Sequence, residues 1–149
     1  MSIFSQFFPF LNSSSLSTSE RSLLLHSCAF VALSDGQASV GEMSSFKKNV
    51  AEIGGFHSSE IEKAFSEKIL LEANFENDLK NLAPPKAHMI LKLLFIISNS
   101  DDKITDDELN AIRSICELMM PKHNWTDIYN WISNYKNFVD STKKLFGKH

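Results

Sequence analysis

Apolar positions along the chain fall into two kinds of stretch. Leu23 to Leu33 and Ala87 to Ile97 are apolar on nearly every side of a helix, broken only by His26 and Ser27 in the first and His88 and Lys92 in the second. A helix that is apolar all round belongs at the centre of a fold. The remaining stretches are one-sided. Phe46, Val50 and Ile53 share a helical face, as do Ile61, Phe65 and Ile69, then Phe75, Leu79 and Leu82. Further on, Leu109, Ile112, Cys116 and Met119 form one stripe, and Trp125, Ile128, Tyr129 and Ile132 another. A last helix carries Tyr135, Phe138, Val139, Thr142 and Phe146. No useful length of chain alternates with period two, so the expected fold is all-α, a compact bundle of about seven helices.

The punctuation agrees with this reading. Ser17 with Glu20, Ser39 with Glu42, Ser59 with Glu62 and Thr105 with Glu108 have the spacing of capping boxes, and Asn124 caps the helix of Trp125. Ser34-Asp35-Gly36 and Gly54-Gly55 end helices, with Gly36 free to take the left-handed conformation. Pro84-Pro85 suits a first helical turn, and Pro121 ends the helix before it.

One short acidic turn occurs twice. Asp35-Gly36-Gln37-Ala38-Ser39-Val40-Gly41-Glu42 matches Asp101-Asp102-Lys103-Ile104-Thr105-Asp106-Asp107-Glu108 at an offset of 66 residues. Asp35 falls on Asp101, Ala38 on Ile104, Ser39 on Thr105 and Glu42 on Glu108. Each copy follows an all-round apolar helix and precedes an amphipathic one. This predicts an internal duplication, with the two central helices side by side in a pseudo-twofold arrangement.

Composition narrows the class. The chain has 149 residues, enough for a real core without disulfides or metals. A net charge of −3 gives no field that draws it to nucleic acid, so no nucleic-acid partner is expected. The two cysteines, Cys28 and Cys116, lie in apolar runs, as inert buried thiols do, and suggest a reducing, cytoplasmic compartment. No stretch reaches the length of a membrane helix, and the N-terminus lacks the basic region of a signal peptide. Residues 1–19 divide into an aromatic arm, with Phe4, Phe7, Phe8 and Phe10, and a Ser-rich linker; residues 20–149 form the domain. The arm is expected to pack on protein, its own domain or a second subunit in a homo-oligomer.

An apolar helix, then Asp-Gly-x-small-x-x-x-Glu, then an amphipathic helix, repeated once, resembles the TerB domain of tellurite-resistance proteins. The same fold occurs in the middle region of a membrane-anchored J-domain co-chaperone. The resemblance covers roughly residues 20–145. The second copy departs from it, with Asp102 where the family usually has Gly. There is no His-Pro-Asp tripeptide, so J-domain activity is not implied. What is implied is a non-enzymatic module of bacterial stress responses that acts by binding a protein partner, with a membrane-associated complex as one setting. The resemblance also implies a metal held by the motif acids, here Asp35, Glu42, Asp101 and Glu108.

Each candidate has a plainer reading beside it. Calcium takes six to eight oxygen ligands. Aligned on an EF-hand loop, the first turn would place Val31 and Leu33 at ligand positions, so it is not an EF-hand. A site for calcium, magnesium or manganese requires acids from both turns, with Asp102, Asp106 and Asp107 in reach. Against this, Glu42 and Glu108 are accounted for as capping residues, and Asp35 and Asp101 as turn residues. Two alternatives stand beside the binding module: a metal-dependent hydrolase using the same carboxylates, and a purely structural helical protein. His26 and Cys28, two apart, point to different faces and form no dyad. The remaining histidines have no zinc spacing. Trp125, Tyr129 and Ile132 read as core, whereas Trp131 lies off that face and is the better candidate for exposed contact.

Overall fold

A computed structural model describes residues 16–34, 36, 39–66, 73–98 and 104–146, and all regular structure among them is helical. Seven helices follow in order: α1 (Thr18–Leu33), α2 (Val40–Gly54), α3 (Ser58–Ser66), α4 (Ala73–Lys80), α5 (Pro84–Ser98), α6 (Asp106–Met119) and α7 (Trp125–Phe146). None is long and apolar enough to cross a membrane.

Both stretches that are apolar all round become central helices. α5 buries Ala87, Ile90, Leu91 and every residue from Leu93 to Ile97. α1 buries Leu23, Leu24, Leu25, Cys28, Ala29, Val31 and Ala32. They pack on each other. In addition α1 packs on α2, α3, α4 and α6, and α5 on α2, α6 and α7. Burial of so much aliphatic surface, at about 25 cal/mol per Å² removed from water, is the main favourable term holding the bundle. Leu16, inside the stretch read as linker, is also buried in this core.

The helix boundaries follow the local chemistry. Capping boxes form at Ser17/Glu20, Ser39/Glu42 and Thr105/Glu108. Asn124 Oδ1 accepts from the backbone N–H groups of Thr126 and Asp127, which caps α7. Gly55 closes α2 in the left-handed conformation at φ 73°. α5 starts at Pro84, where a missing N–H costs nothing. Met120, turned out of the helical conformation (φ −137°, ψ 64°) ahead of Pro121, ends α6.

Four details differ from the sequence reading. α3 begins at Ser58, with the His57 carbonyl accepting from Ile61 N, so Ser59 lies in the first turn and caps nothing. The two helices expected after Asn124 are one continuous helix of 22 residues, because no Gly, Pro or cap interrupts it. Tyr129 sits at the edge of the core, 36% exposed, its ring against Phe95 and Trp125. Phe138, expected on a buried face, is 59% exposed. Ile69 and residues 1–15 lie outside the described residues, as do the side chains of Tyr135, Val139, Thr142 and Phe146.

Candidate functional site at the paired turns

The two motif glutamates occupy equivalent places, each three residues past its cap. Glu42 N–H donates to Ser39 Oγ (3.1 Å), and Ser39 N–H to Glu42 Oε1 (3.4 Å). Glu108 N–H donates to Thr105 Oγ1 (3.1 Å), and Thr105 N–H to Glu108 Oε1 (3.0 Å). The Thr105 hydroxyl also reaches Glu108 Oε1 (3.1 Å). One carboxylate oxygen of each glutamate is thus committed to its cap. Asp35, Ala38, Asp101 and Asp102 lie outside the described residues. Among the described residues, no three His, Cys, Asp or Glu side chains are grouped to hold a metal ion.

One contact joins the end of α1 to the second copy of the motif. Ser34, which closes α1, directs its hydroxyl at the Val31 carbonyl (2.6 Å) and the Asp107 carbonyl (3.2 Å). Ser34 precedes Asp35, and Asp107 precedes Glu108. The C-terminus of α1 therefore meets the N-terminus of α6. Exposed aliphatic and acidic residues surround this junction in sequence: Leu33 is 43% and Val40 89% exposed, and Glu42, Asp106 and Asp107 are exposed as well. Asp106, Asp107 and Glu108 sit in the first turn of α6, where carboxylates complement the helix dipole.

Two clefts lie elsewhere. One, of about 340 Å³, is lined by Arg21, His26, Phe56, Glu60 and Lys63 between α1 and α3. Arg21 stacks its guanidinium 4.6 Å from the centre of the Phe56 ring and donates to the Gly55 carbonyl (3.2 Å). The other, of about 240 Å³, is lined by His88, Met120, His123, Asp127, Ile128 and Trp131. His88 and Trp131 have ring centres 5.6 Å apart, and Lys92 Nζ lies 5.1 Å from the Trp131 ring centre. Burial holds His88 below the ordinary imidazole range, and the charges of His123 and Lys92 push the same way. These residues meet only because α5 packs on α7; the only advance sign was Trp131 lying off the apolar face.

Both thiols are buried. Burial drives Cys28 far up from its ordinary value, and Cys116 up to about 11, with Glu117 adding to the effect. Both stay protonated at neutral pH, the unreactive form.

No protein-family model matches the chain, and neither a curated protein nor a solved structure compared with it does.

Proposed function

We propose that the chain is a TerB-like, non-enzymatic stress-response module of the tellurite-resistance kind. It binds a protein partner on the face where α1 ends against the start of α6, with a divalent cation held by Asp35, Glu42, Asp101 and Glu108. The observation that supports this reading is the Ser34–Asp107 hydrogen bond, which sets the end of α1, next before the first turn, against the start of α6 within the second copy. The packing pattern supports the duplication behind it: α1 touches α6 as α5 touches α2, and α1 touches α2 as α5 touches α6. Exposed Leu33 and Val40 beside a run of carboxylates suit a basic, amphipathic partner segment.

Calorimetric titration with calcium, magnesium and manganese tests the cation. Heat is expected from the wild type and none from the Glu42→Gln/Glu108→Gln double variant. Glutamine still satisfies the capping boxes, so the melting temperature should hold while the ligand charge is lost. A flat wild-type trace removes the cation. Expression in tellurite-treated bacteria tests the partner face. Protection that Val40→Glu abolishes supports it; no protection by the wild type overturns the stress-response reading.

A further inference from the structure

The cleft of about 340 Å³ between α1 and α3 has a charge that the rest of the chain does not explain. Ser22 and His26 are four residues apart on α1, and Glu60 and Lys63 three apart on α3, so each pair shares one helical face. Arg21 stands beside the first pair. The chain as a whole is acidic, with a net charge of −3. The lining runs the other way: Arg21 and Lys63 stand against Glu60, the one carboxylate among the residues that line the cleft. Two cations at the walls of a concavity focus a positive field there and favour an anion.

Arg21 is set in place before any ligand arrives. Its guanidinium lies 4.6 Å from the centre of the Phe56 ring, which is itself only 5% exposed. It also donates to the Gly55 carbonyl at 3.2 Å. A guanidinium held in this way loses little freedom on meeting an oxyanion, and its planar fork matches the oxygens of a phosphate or carboxylate. Five N–H donors allow it several partners at once.

Charge then selects phosphate. A phosphate monoester carries about −1.5 to −2 at neutral pH, which matches two cations better than the single charge of a carboxylate. Its three terminal oxygens suit donors arriving from two helices, Arg21 and the Ser22 hydroxyl from one and Lys63 from the other. Glu60 sets the character of the remainder. A carboxylate beside the cations repels a second anionic group and accepts from the hydroxyls of an uncharged body. The volume falls at the small end of ligand pockets, roughly 300–1,000 Å³, and takes a single-ring molecule whole.

We propose that the cleft between α1 and α3 binds a small phosphate monoester of a hydroxylated, sugar-like molecule, its phosphate between Arg21 and Lys63 and its hydroxyls toward Glu60. None of the motif acids lines this cleft, so the site stands or falls apart from the function proposed for the acidic turns.

Calorimetric titration of the full chain at low salt with glucose 6-phosphate, glucose and inorganic phosphate tests it. The sugar phosphate is expected to bind with a Kd below about 1 mM, and glucose to give no heat in that range. Lys63→Gln should weaken the sugar phosphate about tenfold, the loss of one charge-assisted contact. Lys63 is exposed, so the melting temperature should hold. Glu60→Gln, also exposed, should tighten inorganic phosphate severalfold by removing a like charge, and narrow the advantage of the sugar phosphate over it. Lys122→Gln, exposed and outside the cleft, should leave both affinities unchanged. No heat from the sugar phosphate, glucose binding as tightly as its phosphate, or indifference to Lys63→Gln overturns the proposal. So does an equal loss from Lys122→Gln, or weaker inorganic phosphate binding in Glu60→Gln.

Discussion

Ser39 and Thr105 do one job in two places, each accepting an N–H that would otherwise have no partner at a helix start. Ser39→Ala and Thr105→Ala should each cost about 1 kcal/mol in urea unfolding, and their sum should be close to additive if the caps are independent. Excess loss in the double variant would mean that the adjoining turns share their stability. Ser27 is the opposite case. Its hydroxyl is fully buried in α1 with no hydrogen-bond partner among the described residues. Ser27→Ala should therefore leave stability unchanged or raise it by up to about 1 kcal/mol, since only an unpaired polar group is lost. His88 gives a pH signature. Its folded-state pKa is lowered by burial, so the unfolded chain binds the extra proton more readily. Stability should be fully present above the ordinary imidazole value and be lost as pH falls through the lower, folded value. A series of urea midpoints across that range should slope for the wild type and flatten in His88→Gln.

At the scale of elements, the chain announced what depends on local chemistry and hid what depends on neighbours. Three capping boxes, the Gly55 stop and the Pro84 start are all short-range signals, and all stand where the residues put them. The central helices were equally legible, because Ile90 to Ile97 carries Lys92 as its one polar residue, too little for a polar face. The α3 start was misplaced by two residues because Ser59 and Glu62 have the spacing of a capping box, whereas the helix already begins at Ser58, with the His57 carbonyl accepting its first bond. The join within α7 was missed because a change in apolar face looked like a new helix. That change is instead one helix with two apolar lines, an inner one through Ile128 and Ile132 and the outer one of Trp131, Phe138 and Leu145. Of the candidate site, the glutamates were legible as caps. The contact of Ser34 with Asp107 was not, since a contact across 73 residues leaves no periodic trace. The α2–α3 corner offers a test of element geometry. A Cβ on Gly54 would lie 2.8 Å from the ring of Phe56, itself buried under Arg21. That ring cannot swing aside freely, so Gly54→Ala should cost about 1–3 kcal/mol by overpacking. Gly55→Ala should cost about 1–2 kcal/mol for a different reason, the left-handed backbone. Adding Phe56→Leu should relieve the first variant and not the second.

At the scale of the molecule, the two halves of the chain hold each other. α1 and α2 precede the break at Pro84, and α5 and α6 follow it, yet α1 packs on α5 and α6, and α2 on α5. Neither half can bury its apolar helix alone. Cut free, α5 would expose Ile90, Leu91, Leu93, Leu94 and Ile97, all fully buried in the whole chain. Each such side chain contributes about 1.5–3 kcal/mol when buried, more than an isolated pair of helices recovers from capping. Fragments 1–82 and 83–149 should therefore show little helix separately and regain the helical signal of the intact chain when mixed in equal amounts. Circular dichroism of the separate and mixed fragments checks this, with Leu24→Ala in the first fragment weakening recovery because it removes a fully buried side chain of α1. If one fragment were fully helical and cooperative alone, the halves would be two independent units. The contact between Ser34 and Asp107 would then be a result of docking rather than of folding.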